Sequence, residues 1–161
     1  METRVGLIVA YRRKELGLST HQLATFSFLS EAMLGAIEEG KIDDVASESL
    51  SQLLMLLGLA GDPPTTSARQ RKRGLQMAAR NTSVSYKHQL SVEDLRSILT
   101  TGTVPKEAIS NVVHFLEETP LALVILAVEE SVPTALERKI VWHNIEVLAK
   151  KFHTLRAEMR G

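Results

Sequence analysis

Six apolar residues near the C-terminus, Val141, Ile145, Leu148, Phe152, Leu155 and Met159, recur at steps of 4, 3, 4, 3 and 4. Only a helix gathers that spacing into one stripe, and a stripe that stays apolar over about two and a half heptads must be covered. Two covers are open at this point. The chain's own apolar run from Leu121 to Val128 would make the stripe part of a bundle core, and a second copy would make it a dimer seam.

The rest of the chain supports helices. Aromatic residues make up only 4% of it, and the apolar residues recur at three and four throughout, so the expected fold class is all-α. Near the N-terminus Val5, Ile8, Val9 and Leu16 share a helical face, and Gly17 supplies a stop. Ser19 and Ser30 are good N-caps for two short helices carrying Leu23 and Ala24, then Leu34 and Ile37, the second closed by Gly40. A fourth helix starts at Ser47 or Ser49 and runs through Leu50, Leu53 and Leu57 to Gly58. Gly61-Asp62-Pro63-Pro64-Thr65-Thr66-Ser67 then breaks the pattern, because consecutive prolines block a helix and small polar residues bury little. Beyond it, Ala68 to Arg80 reads as a basic helix or arm and Thr82 to Tyr86 as coil. Three helices follow, begun by Ser91-Val92-Glu93-Asp94, by Pro105 and by Thr119-Pro120, and Pro133 opens the longest. The expected organisation is a domain over 1–60, a basic linker or arm over 61–90 and a helical bundle over 91–161, for dimerisation or partner binding.

Charge sharpens that division. Residues 1–62 hold five Lys and Arg against nine Asp and Glu, 63–90 hold six against none, and 91–161 hold eight against ten. The chain's positive charge is thus concentrated in the middle segment. Cysteine is absent, which excludes disulfides, thiolate metal sites and thiol nucleophiles. The five histidines show no metal-ligand spacing, and no Gly-rich phosphate loop or nucleophile motif is present. The reading therefore predicts no enzyme, no metal and no other cofactor. The longest apolar run falls far short of the roughly 20 residues of a membrane span, and the first residues lack signal-peptide order, so a cytoplasmic protein without a membrane partner is expected. Trp142 reads as packed on neighbouring helices, with an interface anchor as the alternative.

The stretch LIVAYRRKELGLSTHQLATFSFLSEAMLGAIEEGK, followed by LSQLLMLLGL, resembles the Xre or lambda-repressor-like helix-turn-helix family. The matching residues are Arg13, Gly17, Leu18, Ser19, Leu23, Ala24, Ser30, Ile37, Glu38, Gly40, Leu50, Leu53, Leu57 and Gly58. The resemblance covers residues 5–59 and no more. It implies a partly buried ion pair between Arg13 and Glu38, a recognition helix after Ser30, and binding to double-stranded DNA as a dimeric repressor. On that reading Thr20, His21, Ser30, Glu31, Ala32, Met33 and Gly35 face the DNA. Arg12, Lys14, Lys41 and the arm residues Arg69, Arg71, Lys72, Arg73 and Arg80 would hold phosphates.

Departures from the family pattern open a second possibility. The exposed positions of the recognition helix hold Glu31, Ala32, Met33, Gly35 and Ala36, where readers of base edges carry Gln, Ser, Thr, Asn or Arg. Phe28 stands where the turn has Gly, which implies an altered turn or a ring folded inward. The loop after Gly40 is acidic, with Asp43 and Asp44. A face of this kind also suits a protein ligand. The alternative expectation is an antitoxin-like module that neutralises a protein partner, such as a toxin, and autoregulates its own promoter.

Overall fold

The computed structural model describes residues 2–43, 45–59, 72–83 and 88–152, and its described residues are all-α, with no strand among them. Leu155, Met159, Arg69 and Arg71 lie outside them. Helix α1 spans Glu2–Glu15, α2 Thr20–Ser27, α3 Glu31–Glu38 and α4 Ser47–Leu56. Helices α5 (Gly74–Ser83), α6 (Val92–Thr101), α7 (Ile109–Glu118), α8 (Leu121–Ser131) and α9 (Ala135–Lys151) follow. A 3-10 turn at Lys106–Ala108 leads into α7, so the helix read from Pro105 begins as this tighter coil. Among the described residues no helix is long and apolar enough to cross a membrane.

Local chemistry accounts for most boundaries. Ser19 accepts from the Gln22 amide at 3.0 Å while the Gln22 side chain accepts from the Ser19 amide at 2.9 Å, a reciprocal cap that starts α2. Ser91 and Asp94 do the same for α6. Gly17 ends the first helical run with φ +72°, and a Cβ there would come within 2.7 Å of the Ala135 carbonyl and the Lys139 amide. Glycine is required at this point twice over, by the left-handed backbone and by the approach of α9.

Helix α8 is the hub. Val124, Ile125, Leu126, Ala127 and Val128 are all buried, because α4, α5, α6 and α9 pack around it. A helix apolar on every side belongs in such a position. Helix α9 lies over α6, α7 and α8 and turns Val141, Ile145 and Leu148 into the core, with Phe152 packed at its edge. The stripe is thus covered by the chain's own helices over its described length, and this face is not free for a second copy.

Of the stretch that reads as a basic helix or arm, residues 74–80 take the helical alternative, and the helix runs on through Thr82 and Ser83, against their reading as coil. Gly74–Ser83 is a helix seated on α8, burying Leu75, Ala78, Ala79 and Thr82 at helical spacing. Its start is fixed by Glu130, whose carboxylate accepts from the amides of Gly74 at 2.8 Å and Leu75 at 3.1 Å. Any side chain at residue 74 would press on Leu126, whose Cβ lies 2.5 Å from where a new Cβ would stand. The buried hydroxyls of Thr82 and Ser83 both donate to the Ala79 carbonyl, so neither is left unsatisfied in the core.

The N-terminal helices share this core. Arg12, only 2% exposed, donates through Nε to the Leu57 carbonyl at 2.9 Å, and its guanidinium is gripped by Glu129 of α8 and by Glu15. Arg12 is therefore no phosphate ligand, against the expectation above, since it has no free donor face toward solvent. Arg138 of α9 donates to the carbonyls of Glu15 at 2.7 Å and Glu129 at 3.2 Å. The Trp142 indole donates to the Leu16 carbonyl at 2.9 Å, and its ring packs tilted on Phe26 with centroids 5.4 Å apart.

Burial disfavours both charges of the Arg12–Glu129 pair, but their mutual hydrogen bonds and attraction outweigh it. Arg12 is held above its ordinary value and Glu129, helped also by Arg138, below its own. Stability from Glu129 is thus complete above the unfolded carboxylate's value of about 4 and is lost as the pH falls through the lower folded value. Glu129→Gln should cost about 3 kcal/mol in urea unfolding near neutral pH, and progressively less below about pH 4. An equal cost at both pH values would contradict the pairing.

Candidate nucleic-acid interface

Helices α2 and α3 are joined through Phe28, Leu29 and Ser30. Helix α3 is held from behind. Leu34 and Ile37 are fully buried, and at its end Glu38 receives a two-point ion pair from Arg13, Nε to Oε2 at 2.9 Å and Nη2 to Oε1 at 3.0 Å. Arg13 also donates to the Leu18 carbonyl, which ties the same guanidinium to the start of α2. Matched planar geometry of this kind fixes orientation as well as distance.

The front of α3 is open. Glu31 and Ala32 are exposed, Gly35 and Ala36 are half-buried, and a Cβ added to Gly35 would meet nothing within 4 Å. Ser30 spends its hydroxyl on capping the Met33 amide at 3.0 Å. Met33 is half-buried and leans on the core, so it is only partly available to a ligand. Thr20 and His21 are exposed on α2, and His21 Nδ1 lies 3.3 Å from Glu31 Oε2, which links the two helices across the front. Lys41 is exposed with its ammonium 3.1 Å from Glu39.

Other predicted contacts are not gathered here. Lys72 and Arg73 are exposed, but Lys72 borders a groove made by Arg96, Glu129, Glu130, Pro133 and Arg138, which no residue of α2 or α3 lines. Arg80 is exposed on α5. Among the described residues no group of three His, Asp or Glu side chains is placed to hold a metal ion.

Two features were not foreseen from the sequence. The first is a basic groove at the start of α2, where Lys14 and Lys139 stand beside Gly17, Ser19 and Gln22. Lys139 comes from α9, more than a hundred residues away, so no local pattern could signal it. The second is Phe28. It adopts φ 58° and ψ 31°, so the turn keeps the left-handed conformation that a glycine would give, and the ring is 81% exposed. The ring is thus not folded inward, and Phe28 itself takes the left-handed conformation. Its amide closes α2 on the Ala24 and Thr25 carbonyls, which holds the strained conformation in place.

No family model matches the chain, and neither a curated protein nor a solved structure matches it.

A bulky residue in the left-handed region costs about 1–2 kcal/mol, and an exposed ring recovers little of that by burial. Phe28→Gly should therefore leave the fold intact and raise its unfolding free energy by about 1 kcal/mol, after allowing for the looser unfolded chain. A loss of stability in the urea midpoint would mean that the ring packs on something in solution.

Proposed function

We propose that the chain is a DNA-binding transcriptional regulator of the Xre helix-turn-helix type, with α3 as the recognition helix. The observation that carries this reading is the way α3 is offered: anchored by Leu34, Ile37 and the Arg13–Glu38 pair, open at Glu31, Ala32 and Gly35. A helix that reads the major groove needs such a rigid back and a bare leading end. Support for orientation on the duplex comes from Lys14 and Lys139, which flank the start of α2, where the positive helix end also favours a phosphate.

With small and acidic side chains at the front, specificity rests on apolar contact between Ala32 and thymine methyls, on Glu31 accepting from a cytosine amino group, and on groove shape. A protein ligand is the second reading. The exposed Phe28 ring favours it, as do the exposed Glu31 and Glu39, the latter paired with Lys41.

Fluorescence anisotropy with DNA from upstream of the chain's own reading frame, against unrelated DNA, separates the two. Regulator function predicts promoter binding at least about tenfold tighter than the control and weakening with salt. The double substitution Lys14→Gln and Lys139→Gln should weaken binding to all sequences alike and flatten the salt dependence by up to about two counterions. Equal, weak binding to both DNAs would defeat this reading and favour the protein ligand.

A further inference from the structure

Nothing among the described residues requires residue 35 to be glycine. Gly35 stands inside α3 with its carbonyl accepting from the Glu39 amide at 3.0 Å, and its backbone is not left-handed. A Cβ added there would meet nothing within 4 Å. The other described glycines are each accounted for from within the fold. A Cβ at Gly6 would run into the carbonyls of Ile37 and Glu38 and one at Gly74 into Leu126, while Gly17, Gly40, Gly58 and Gly102 take positive φ. Gly35 works against its own element instead. Glycine surrenders the most backbone freedom on entering a helix, and α3 has only eight residues over which to share the loss.

The partner side of α3 supplies a reason that the fold does not. Gly35 is three residues from Ala32 and four from Glu31, the separations at which positions are neighbours on a helix surface. Ala32 and Glu31 are the two exposed positions to which the regulator reading gives a thymine methyl and a cytosine amino group. The Ala32 side chain ends at its Cβ, so it touches a methyl only where the helix backbone itself comes deep into the groove. Close approach of a backbone to a ligand is one use of glycine. Any longer side chain at residue 35 would project past Ala32 and hold α3 away from the base edges. Turning α3 to bring another face forward would pull Leu34 and Ile37 out of the core, where both are fully buried. We propose that Gly35 is a positioning residue for sequence recognition, whose missing side chain lets α3 seat deep enough in the major groove for Ala32 and Glu31 to reach the bases. The inference rests on the regulator reading.

Gly35→Ala and Gly35→Leu in the full chain test it. Both put a strong helix former into open space, so both should raise the midpoint of urea unfolding. Fluorescence anisotropy with promoter and unrelated DNA should move the other way. The promoter preference, at least about tenfold for the unaltered chain, should fall to about one for Gly35→Leu and to an intermediate value for Gly35→Ala. Affinity for unrelated DNA, which depends on phosphate contacts, should stay within about twofold with the same salt dependence. A merely structural role would lower the midpoint, so a lowered midpoint overturns the proposal. A promoter preference that survives Gly35→Leu also overturns it and leaves the regulator reading standing. If the unaltered chain shows no promoter preference, the regulator reading fails and this role for Gly35 fails with it.

Discussion

A guanidinium buried among apolar helices has to find its counter-charge inside the protein, and Arg12 finds it on Glu129 at the end of α8. The apolar residues of α1 and the turn after it do not select one inward face, since Val9 and Leu16 are buried while Leu7, Ile8 and Tyr11 are exposed. The charge does. With Arg12 turned toward α8, Val9 and Leu16 enter the core, and the Leu57 carbonyl beyond α4 receives the remaining donor. Removing either partner would leave a desolvated charge, which is why the arrangement tolerates few alternatives.

From that junction the position of the α2–α3 pair follows. Arg138 and Trp142 of α9 take the carbonyls at the end of α1, Gly17 lets α9 come close, and Gln22 reaches Glu146. The front of α3 is therefore carried on a scaffold that includes the C-terminal helices, and a shift of α9 would be felt at the start of α2.

Much of the local structure was legible in the sequence, because caps and stops are written in adjacent residues. Ser19 with Gln22, Ser30, Ser91 with Asp94, and Gly17 act within a turn of where they stand. Arg13 and Glu38, paired here at two points, were reachable only by resemblance, as nothing at a separation of 25 residues marks a contact. What escaped the reading depends on distant packing. Ala68 to Arg80 reads as a basic helix or arm, with nothing to mark 74–83 as a core element, because the cations are local, whereas the surface that helix buries on α8 is some fifty residues away. Arg12 looked like a phosphate ligand because its acid partner is 117 residues on. On α9 the exposed Leu136, Ile140 and Val147 are masked in the sequence by the apolar stripe of Val141, Ile145 and Leu148, and only burial distinguishes the two.

The central claim is that head and bundle form one cooperative body, and Trp142, the only tryptophan, stands at their junction. The most direct measurement is urea unfolding of the full chain followed in parallel by Trp142 fluorescence and far-ultraviolet circular dichroism. A shared core predicts a single transition with coincident midpoints for both probes. Two transitions, with the tryptophan signal changing while much of the helix remains, would show that the head leaves the bundle independently and would contradict the account.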